Sequence, residues 1–333
     1  SFVKIIMEWI SVIISGLFNQ FTVLISGIGL LTILMHLVMV RKRSRRYHND
    51  YHRLQEQEEQ SREVLQHRNL LQDRTKSYEQ SLTYAQRIQT AMFITPKQLR
   101  VMFPDSFIYQ RPKDIVSGDF NWAKRINGKV FFSVADCTGH GVPGAFMSLL
   151  GLEFFRQVTA GREVLDPASI LNEMNEQFDI VFGDTEEFAL KDGIDLALCA
   201  YDHKNRILEY AGAFNPIYIV RDQEILEVKG DRIIVGPDYG VQRGTFENRS
   251  LEIREDDMLY MFTDGYADQF GGPEGKKFKY RRFRHLLMSI HHLPMEEQKK
   301  KLQEIMNEWM GGQHDQIDDQ TVLGIRPASF SSS

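Results

Sequence analysis

Apolar and polar positions along this chain fall into three regimes, and each predicts a different kind of element. Phe21 to Val40 reads FTVLISGIGLLTILMHLVMV and holds no Asp, Glu, Lys or Arg. About twenty such residues, at 1.5 Å rise, cross the ~30 Å hydrocarbon core of a bilayer. Arg41, Lys42, Arg43, Arg45 and Arg46 follow at once, and a basic cluster at one end of a span marks the cytoplasmic side. A transmembrane helix is expected over 21–40; a buried core helix would not end in such a cluster. His36, inside the span, is expected to pack against a neighbouring helix rather than bind a ligand. Residues 1–20 are also apolar but carry Lys4 and Glu8, spaced to pair on a helix. A signal-like segment, an interfacial helix and the remnant of a preceding span all fit that stretch. The chain starts at Ser1 rather than Met, so a piece of a longer protein, with a sensory region upstream, is expected.

The second regime runs from 41 to 95, with no Gly or Pro and abundant Gln, Glu, Arg and Leu, all good helix formers. Leu54, Val64, Leu65, Leu70, Leu71, Tyr78, Leu82, Ala85, Ile88 and Met92 form an apolar stripe that is sparse at first and regular from Tyr78 onward. A helical linker is expected, with a homodimeric coiled coil along it; a single solvated helix is the alternative. Pro96 is expected to end the run.

After Pro96 the pattern turns to short apolar strands and paired helices. Strands are expected at Phe107–Gln110, Phe120–Arg125, Val130–Ala135, Leu196–Tyr201, Ile207–Tyr210, Ile217–Val220, Phe246–Ile253, Met258–Phe262 and Thr321–Ile325. Helices are expected at Pro143–Thr159, Pro167–Phe182, Arg281–His291 and Met295–Trp309. Short polar turns such as Asp202–Asn205 and Arg221–Glu224 indicate antiparallel hairpins. Helices that come in consecutive pairs then suggest an α+β domain of two stacked sheets between helix layers.

Composition narrows the chemistry. With 40 Lys+Arg against 45 Asp+Glu the net charge is −5, so nothing draws the whole chain to nucleic acid. Two cysteines, Cys137 and Cys199, exclude a disulfide scaffold and a thiolate zinc cluster. Four acidic motifs lie at or beside strand ends: VSGDF around Asp119, VADCTGHG around Asp136, TDG at Asp264, and IDDQT with Asp318 and Asp319. One Asp-Gly turn is ordinary. Four carboxylates in one domain repel unless cations neutralise them, and all-oxygen ligation selects hard ions such as Mg²⁺ or Mn²⁺.

The order VSGDF, VADCTGHGVPGAFMS, DGIDLALCAYD…LEYAGAFNP, MFTDGYADQF and DDQTVLGIR resembles the metal-dependent, protein phosphatase 2C-like enzymes. Within them it resembles the bacterial branch of the stage II sporulation and sigma-B regulator phosphatases, over roughly Tyr84 to Arg326. The resemblance implies a four-layer α-β-β-α sandwich with two Mn²⁺ or Mg²⁺ ions at one sheet edge. It implies hydrolysis of phosphoserine or phosphothreonine on a protein by a two-metal-activated hydroxide, without a covalent intermediate. Carried over by position, Asp136 bridges both ions. The Cys137 carbonyl and Asp119 belong to one ion, and Asp264 and Asp318 to the other. Asp136 and Asp264 are the catalytic candidates, and Asp319 supports from behind. Ser117, Asn121, Ala213 and Phe214 depart from the family pattern, which bears on substrate contacts rather than on the carboxylates. The helix ending at Met92 resembles the family's entry helix, which links regulatory modules to the metal site.

The expected organisation is therefore an apolar segment 1–20, a transmembrane helix 21–40, a helical linker 41–95, a phosphatase domain 96–327 and a tail 328–333. The expected place is the inner membrane with the catalytic domain in the cytoplasm. The expected partners are a phosphoprotein, such as an anti-anti-sigma-type regulator, and a second copy through the linker; no nucleic acid is expected. Gly139-His140-Gly141-Val142-Pro143-Gly144 fits the dinucleotide fingerprint, but Asp136 would aim a carboxylate at the pyrophosphate. His140 is an open acid/base candidate. Neither cysteine has Arg at the spacing a thiol phosphatase needs. A sensor histidine kinase using His48 or His52, and an inactive phosphatase-fold scaffold, are the rival classes. The first leaves Asp264 and the DDQT strand unexplained, and the second leaves four retained carboxylates unexplained.

Overall fold

Helix α1 runs without a break from Phe2 to Met92. The computed structural model describes residues 2–161, 165–182, 193–237 and 244–327; the tail 328–333 and Asp192 of the DGIDLALCAYD motif lie outside them. Two compact units divide at Ser77 and Tyr78. The first consists of α1 alone. Its apolar stretch is the one segment among the described residues long and apolar enough to cross a membrane, and no part of that stretch is buried.

The second unit begins with the last turns of α1, where Gln89 is the buried residue of the helix. The helix stops at Met92, before Pro96, because Phe93 turns inward and Thr95 is extended at ψ 154°. The residue before a proline disfavours helical geometry. Pro96 instead opens α2 (Pro96–Met102), with Thr95 and Gln98 forming a reciprocal capping box.

The chain continues through β1 (Ser106–Arg111), β2 (Phe120–Ile126), β3 (Lys129–Cys137), α3 (Gly141–Val158) and α4 (Pro167–Phe182). Next come β4 (Ile194–Asp202), β5 (Ile207–Ala213), β6 (Ile217–Arg221), β7 (Glu224–Val228), β8 (Arg249–Glu252) and β9 (Met258–Phe262). The short pieces α5 (Gly265–Asp268), β10 (Phe270–Gly271) and β11 (Lys276–Lys277) lead to α6 (Lys279–Ile290), α7 (Met295–Met310) and β12 (Gln320–Ile325). Two five-stranded antiparallel sheets result, in the orders β1-β12-β9-β6-β7 and β2-β3-β4-β5-β8.

Period-two alternation sends each strand's side chains to two cores. Along β3, Val130, Phe132 and Val134 join Ile219, Leu259, Met261 and Leu323 between the sheets. Phe131 and Ala135 face α3 and α4 through Phe154, Phe155 and Leu171. Along β9, Met258, Tyr260 and Phe262 face Phe283, Leu287, Leu302 and Met306 of α6 and α7. Both faces of each sheet are covered, which is why the strands read as nearly continuous apolar runs. The expected α+β, four-layer α-β-β-α sandwich is the observed architecture.

Three differences from the expected elements have local causes. Strand β8 covers 249–252 rather than 246–253, because Phe246 leaves the sheet to pack with the α4 core, its backbone N–H and C=O both bonded to Asn172. Strand β7 was not expected: its sequence EILEV forms an edge strand in which Glu224 is exposed and Glu227 pairs with Arg284. Helix α3 starts two residues before Pro143, at Gly141.

Candidate active site

Antiparallel pairing gathers the acidic motifs at one end of both sheets. Asp119 immediately precedes β2, Asp136 is the second-last residue of β3, and β4 starts beside it, with Asp195 directly opposite Asp136 in the register. In the other sheet Asp264 lies just past β9, and Asp318 and Asp319 just before β12, which pairs with β9 from Val322 opposite Phe262. The two sheets are tied together there. Thr263 Oγ1 donates to Asp119 Oδ2 at 2.7 Å and accepts from Thr321 N–H at 3.0 Å. Across this edge the Asp264 charge acts on the Asp136 carboxyl.

Burial and mutual repulsion raise the carboxyl pKa values. Burial is the larger cause for Asp119, pushed well up, with Asp319 and Asp318 adding repulsion. Asp136 is likewise pushed well up by burial and then by Asp119, Asp264, Asp318 and Asp195. Burial and the Asp318 charge push Asp264 to about 6, and burial and the Asp264 charge push Asp195 to about 6. The charges of Asp119, Asp264 and Asp318 thus all reach Asp136 at this edge.

Asp319 is held by backbone N–H groups. Its Oδ1 accepts from Lys113 N–H and its Oδ2 from Gly118 N–H, each at 2.7 Å, which pins the 113–118 loop beneath Asp119. Gly118 must lack a side chain: a Cβ there would lie 2.7 Å from Gly139 O and 3.4 Å from Cys137 O. The Cys137 thiol is buried and pushed well up by burial and by Asp136, which keeps the sulfur protonated. Gly139, at φ +85°, makes the sharp turn from β3 into α3.

His140 does not join the carboxylates. Lys113 Nζ can only donate, so His140 Nε2 accepts from it at 2.7 Å, and Nδ1–H donates to Asp114 Oδ2 at 2.7 Å. Two residues escaped the sequence reading. Asp195 sits inside a quoted motif, but its strand pattern looks like an ordinary β4 position. Gln89 appears only as a polar interruption of an apolar stripe. Its Nε2 donates to Ser117 O at 2.6 Å and Ser148 Oγ at 2.9 Å, and its Oε1 accepts from Ser117 N–H at 3.1 Å.

Whether hard cations fit can be judged from the donors. Among the described residues no three His, Cys, Asp or Glu side chains already form a cage around one point. The donors are nevertheless hard oxygens only, and Asp119 Oδ1 is buried without a hydrogen-bond partner. An orphaned buried carboxylate oxygen is costly unless a cation or donor meets it. The residues present fit Mn²⁺ or Mg²⁺, with the remaining coordination left to water and substrate oxygens.

The family model for stage II sporulation protein E (SpoIIE) matches residues 126–327. Asp119 lies outside that match. The SiaA-PP2C domain of Pseudomonas aeruginosa is similar at TM-score 0.69 and 32% identity, over 76% of this chain and 98% of that one. The PP2C phosphatase domain and regulatory-domain fragment of SpoIIE from Bacillus subtilis is similar at TM-score 0.52 and 19% identity, over 67% of this chain and 61% of that one. The RsbU and RsbW domains of a Mycobacterium tuberculosis protein give 0.51 and 22%, over 67% and 60%. These last two share the fold. No curated protein gives a match. The two stacked sheets, the gathered carboxylates and the extent of the sequence match lead to one assignment: the chain belongs to the stage II sporulation protein E family of PP2C-like serine/threonine phosphatases.

Proposed function

We propose that this chain is a membrane-anchored phosphatase that removes phosphate from serine or threonine of a cytoplasmic regulatory protein. The observation that carries this reading is the meeting of Asp119, Asp136, Asp264 and Asp318 at one sheet edge, with a buried Asp119 oxygen lacking any partner. Asp119, Asp136, the Cys137 carbonyl, Asp264 and Asp318 are the metal ligands of this reading. Asp136 would serve both ions, and Asp136 and Asp264 would act closest to the reaction. Two Mn²⁺ or Mg²⁺ ions, when bound, would neutralise the carboxylates, lower the pKa of water and hold phosphoryl oxygens for in-line attack.

The protein's own groups keep that edge in place. Thr263 fixes one Asp119 oxygen and leaves the other free, and Asp319 holds the 113–118 loop. Gating through α1 has a route in Gln89. Its amide bonds both backbone groups of Ser117, two residues from Asp119, so rotation of the helix end would move a ligand. The exposed apolar stretch 21–40 and its basic flank support a membrane anchor. The apolar stripe of the linker supports pairing with a second copy, and an anti-anti-sigma-type regulator is the partner of this reading by family analogy. Membership of a phosphatase family removes the histidine-kinase alternative built on His48 and His52.

The test is phosphate release from a phosphoserine protein and from p-nitrophenyl phosphate by the full chain in detergent micelles. Turnover with Mn²⁺ or Mg²⁺ that stops in excess chelator is the expected result. Turnover unaffected by chelator, or none with either metal, rejects the reading.

A further inference from the structure

The turn between β5 and β6 carries a side chain that the carboxylate centre does not use. Asn215 N–H donates to Ala213 O at 2.6 Å, and the residue between them, Phe214, has φ +56°. That is a γ-turn of the strained hand. The turn is locked from several sides. The Tyr210 hydroxyl donates to Asn215 O at 2.6 Å, Asn215 Nδ2 donates to Asp195 O at 3.2 Å, and Phe214 N–H donates to Asp231 O at 2.9 Å. Gly230 permits the approach, since a Cβ there would lie 2.7 Å from Gly212 O. Despite this, Phe214 remains 49% exposed. A rigid turn that holds a large apolar ring in water, in a backbone conformation better suited to Asn or Gly, has no purpose in the fold's own packing.

The ring borders a groove of about 380 Å³, which Tyr218, Lys229, Arg232, Tyr280 and Arg284 also line. Arg284 is already committed: it donates to the Tyr218 hydroxyl at 3.1 Å and pairs with Glu227. Lys229 and Arg232 are exposed on the rim, and among the described residues neither forms an ion pair. The groove opens beside the carboxylates. Asn215 holds the backbone of Asp195, the register partner of Asp136. Desolvation and then the charges of Asp264, Asp268 and Asp136 push the Tyr280 hydroxyl up, which places the ring within reach of the site's field.

We propose that this groove binds the substrate residues flanking the phosphorylated side chain, an apolar residue against Phe214 and Tyr280 and acidic residues at Lys229 and Arg232. The proposal rests on the phosphatase reading above and adds the class of sequence that the enzyme prefers. An aryl phosphate carries no flanking residues, so it reports on the centre alone.

The test uses the full chain in micelles with Mn²⁺, three phosphoserine peptides and p-nitrophenyl phosphate. The peptides differ only in their flanks: Phe with Asp and Glu, Ala throughout, or Phe with Lys. Two exposed ion pairs and the loss of like-charge repulsion predict about a tenfold higher kcat/KM for the acidic peptide than for the Lys peptide, expressed in KM. Lys229→Glu combined with Arg232→Glu should abolish that preference while p-nitrophenyl phosphate turnover is unchanged. Phe214→Asn, which suits the left-handed backbone, should erase the advantage of Phe over Ala and likewise spare the aryl phosphate. Equal kcat/KM for acidic and Lys peptides, or a preference that survives the double substitution, overturns the proposal. Aryl phosphate turnover falling together with the peptides would show a structural role and overturns it too. No turnover of any substrate would instead reject the phosphatase reading on which it stands.

Discussion

Strand β9 has an aspartate at each end, and the fold treats the two in opposite ways. Asp257, just before the strand, is 1% exposed and fully matched. Arg221 reaches it through Nε at 2.8 Å and Nη2 at 2.5 Å, and Arg254 N–H donates to it at 2.7 Å. Asp264, just past the other end, stands among like charges, and burial with the Asp318 charge pushes it to about 6. The same sheet thus buries one acid with its countercharge and another among like charges. Several unmatched groups gather at that second end: Ser117 Oγ, Asp119 Oδ1, Asn121 Oδ1 and Thr321 Oγ1 are buried without partners. A fold that satisfies a buried aspartate at one end of a strand, and crowds acids with an unpartnered Asp119 oxygen at the other, has the arrangement that the proposed cations would settle.

The sharpest break of this contrast is Asp136→Asn. It removes the charge assigned to both ions, so kcat should fall by about three orders of magnitude, the equivalent of several kcal/mol of lost charge stabilisation. The same substitution relieves repulsion, so the urea midpoint without metal should hold or rise. Loss of activity accompanied by unfolding would mean that Asp136 is structural after all. Asp257→Ala is the mirror image. It strands a partly buried Arg221 and an N–H, and should lower unfolding free energy by about 3 kcal/mol. Turnover per folded molecule should stay at the wild-type level, as read from urea melts beside initial rates.

The contrast also explains what could be read from sequence and what could not. A strand that ends in Asp-Gly or begins after Asp-Asp is a local pattern, so Asp119, Asp136, Asp264 and Asp318 were legible before any coordinates. The layers were legible too, because both faces of each strand are buried and the apolar runs are long. Asp195 was not singled out, because its significance comes from lying opposite Asp136, a relation between strands far apart in sequence. The partner of Asp257 was hidden for the same reason. Gln89 looked like a flaw in an amphipathic stripe, since its value lies in a backbone 28 residues away. The pieces α5, β10 and β11 are two to four residues long, too short for periodicity to show.

If cations settle the unmatched end, they should stabilise the folded state measurably. A ligand at a hundred times its dissociation constant adds about 2.7 kcal/mol. Mn²⁺ should therefore raise the thermal midpoint of the wild-type chain, and chelator should reverse it. Asp136→Asn should abolish most of that increment, whereas Asp257→Ala should keep it in full on a lower baseline. An equal Mn²⁺ response in both variants would show binding elsewhere and dissolve the contrast between the two ends.

The smallest expected effect tests whether α1 reaches the unmatched end. Gln89→Leu keeps the bulk of the side chain but leaves Ser117 N–H and O, and Ser148 Oγ, without their amide partner. Groups that orient a ligand from behind typically change metal affinity by about tenfold or somewhat more. The Mn²⁺ concentration for half-maximal activity should rise by that factor, while kcat at saturating Mn²⁺ recovers most of its value. Gln89→Glu sharpens the result. It preserves the acceptor for Ser117 N–H but removes the donor to Ser117 O, so it should lie between Leu and the wild type. A kcat that stays depressed at saturating metal in both variants would assign Gln89 to packing alone. A graded shift in metal requirement, with kcat restored, would instead identify it as the residue through which the helix positions Asp119.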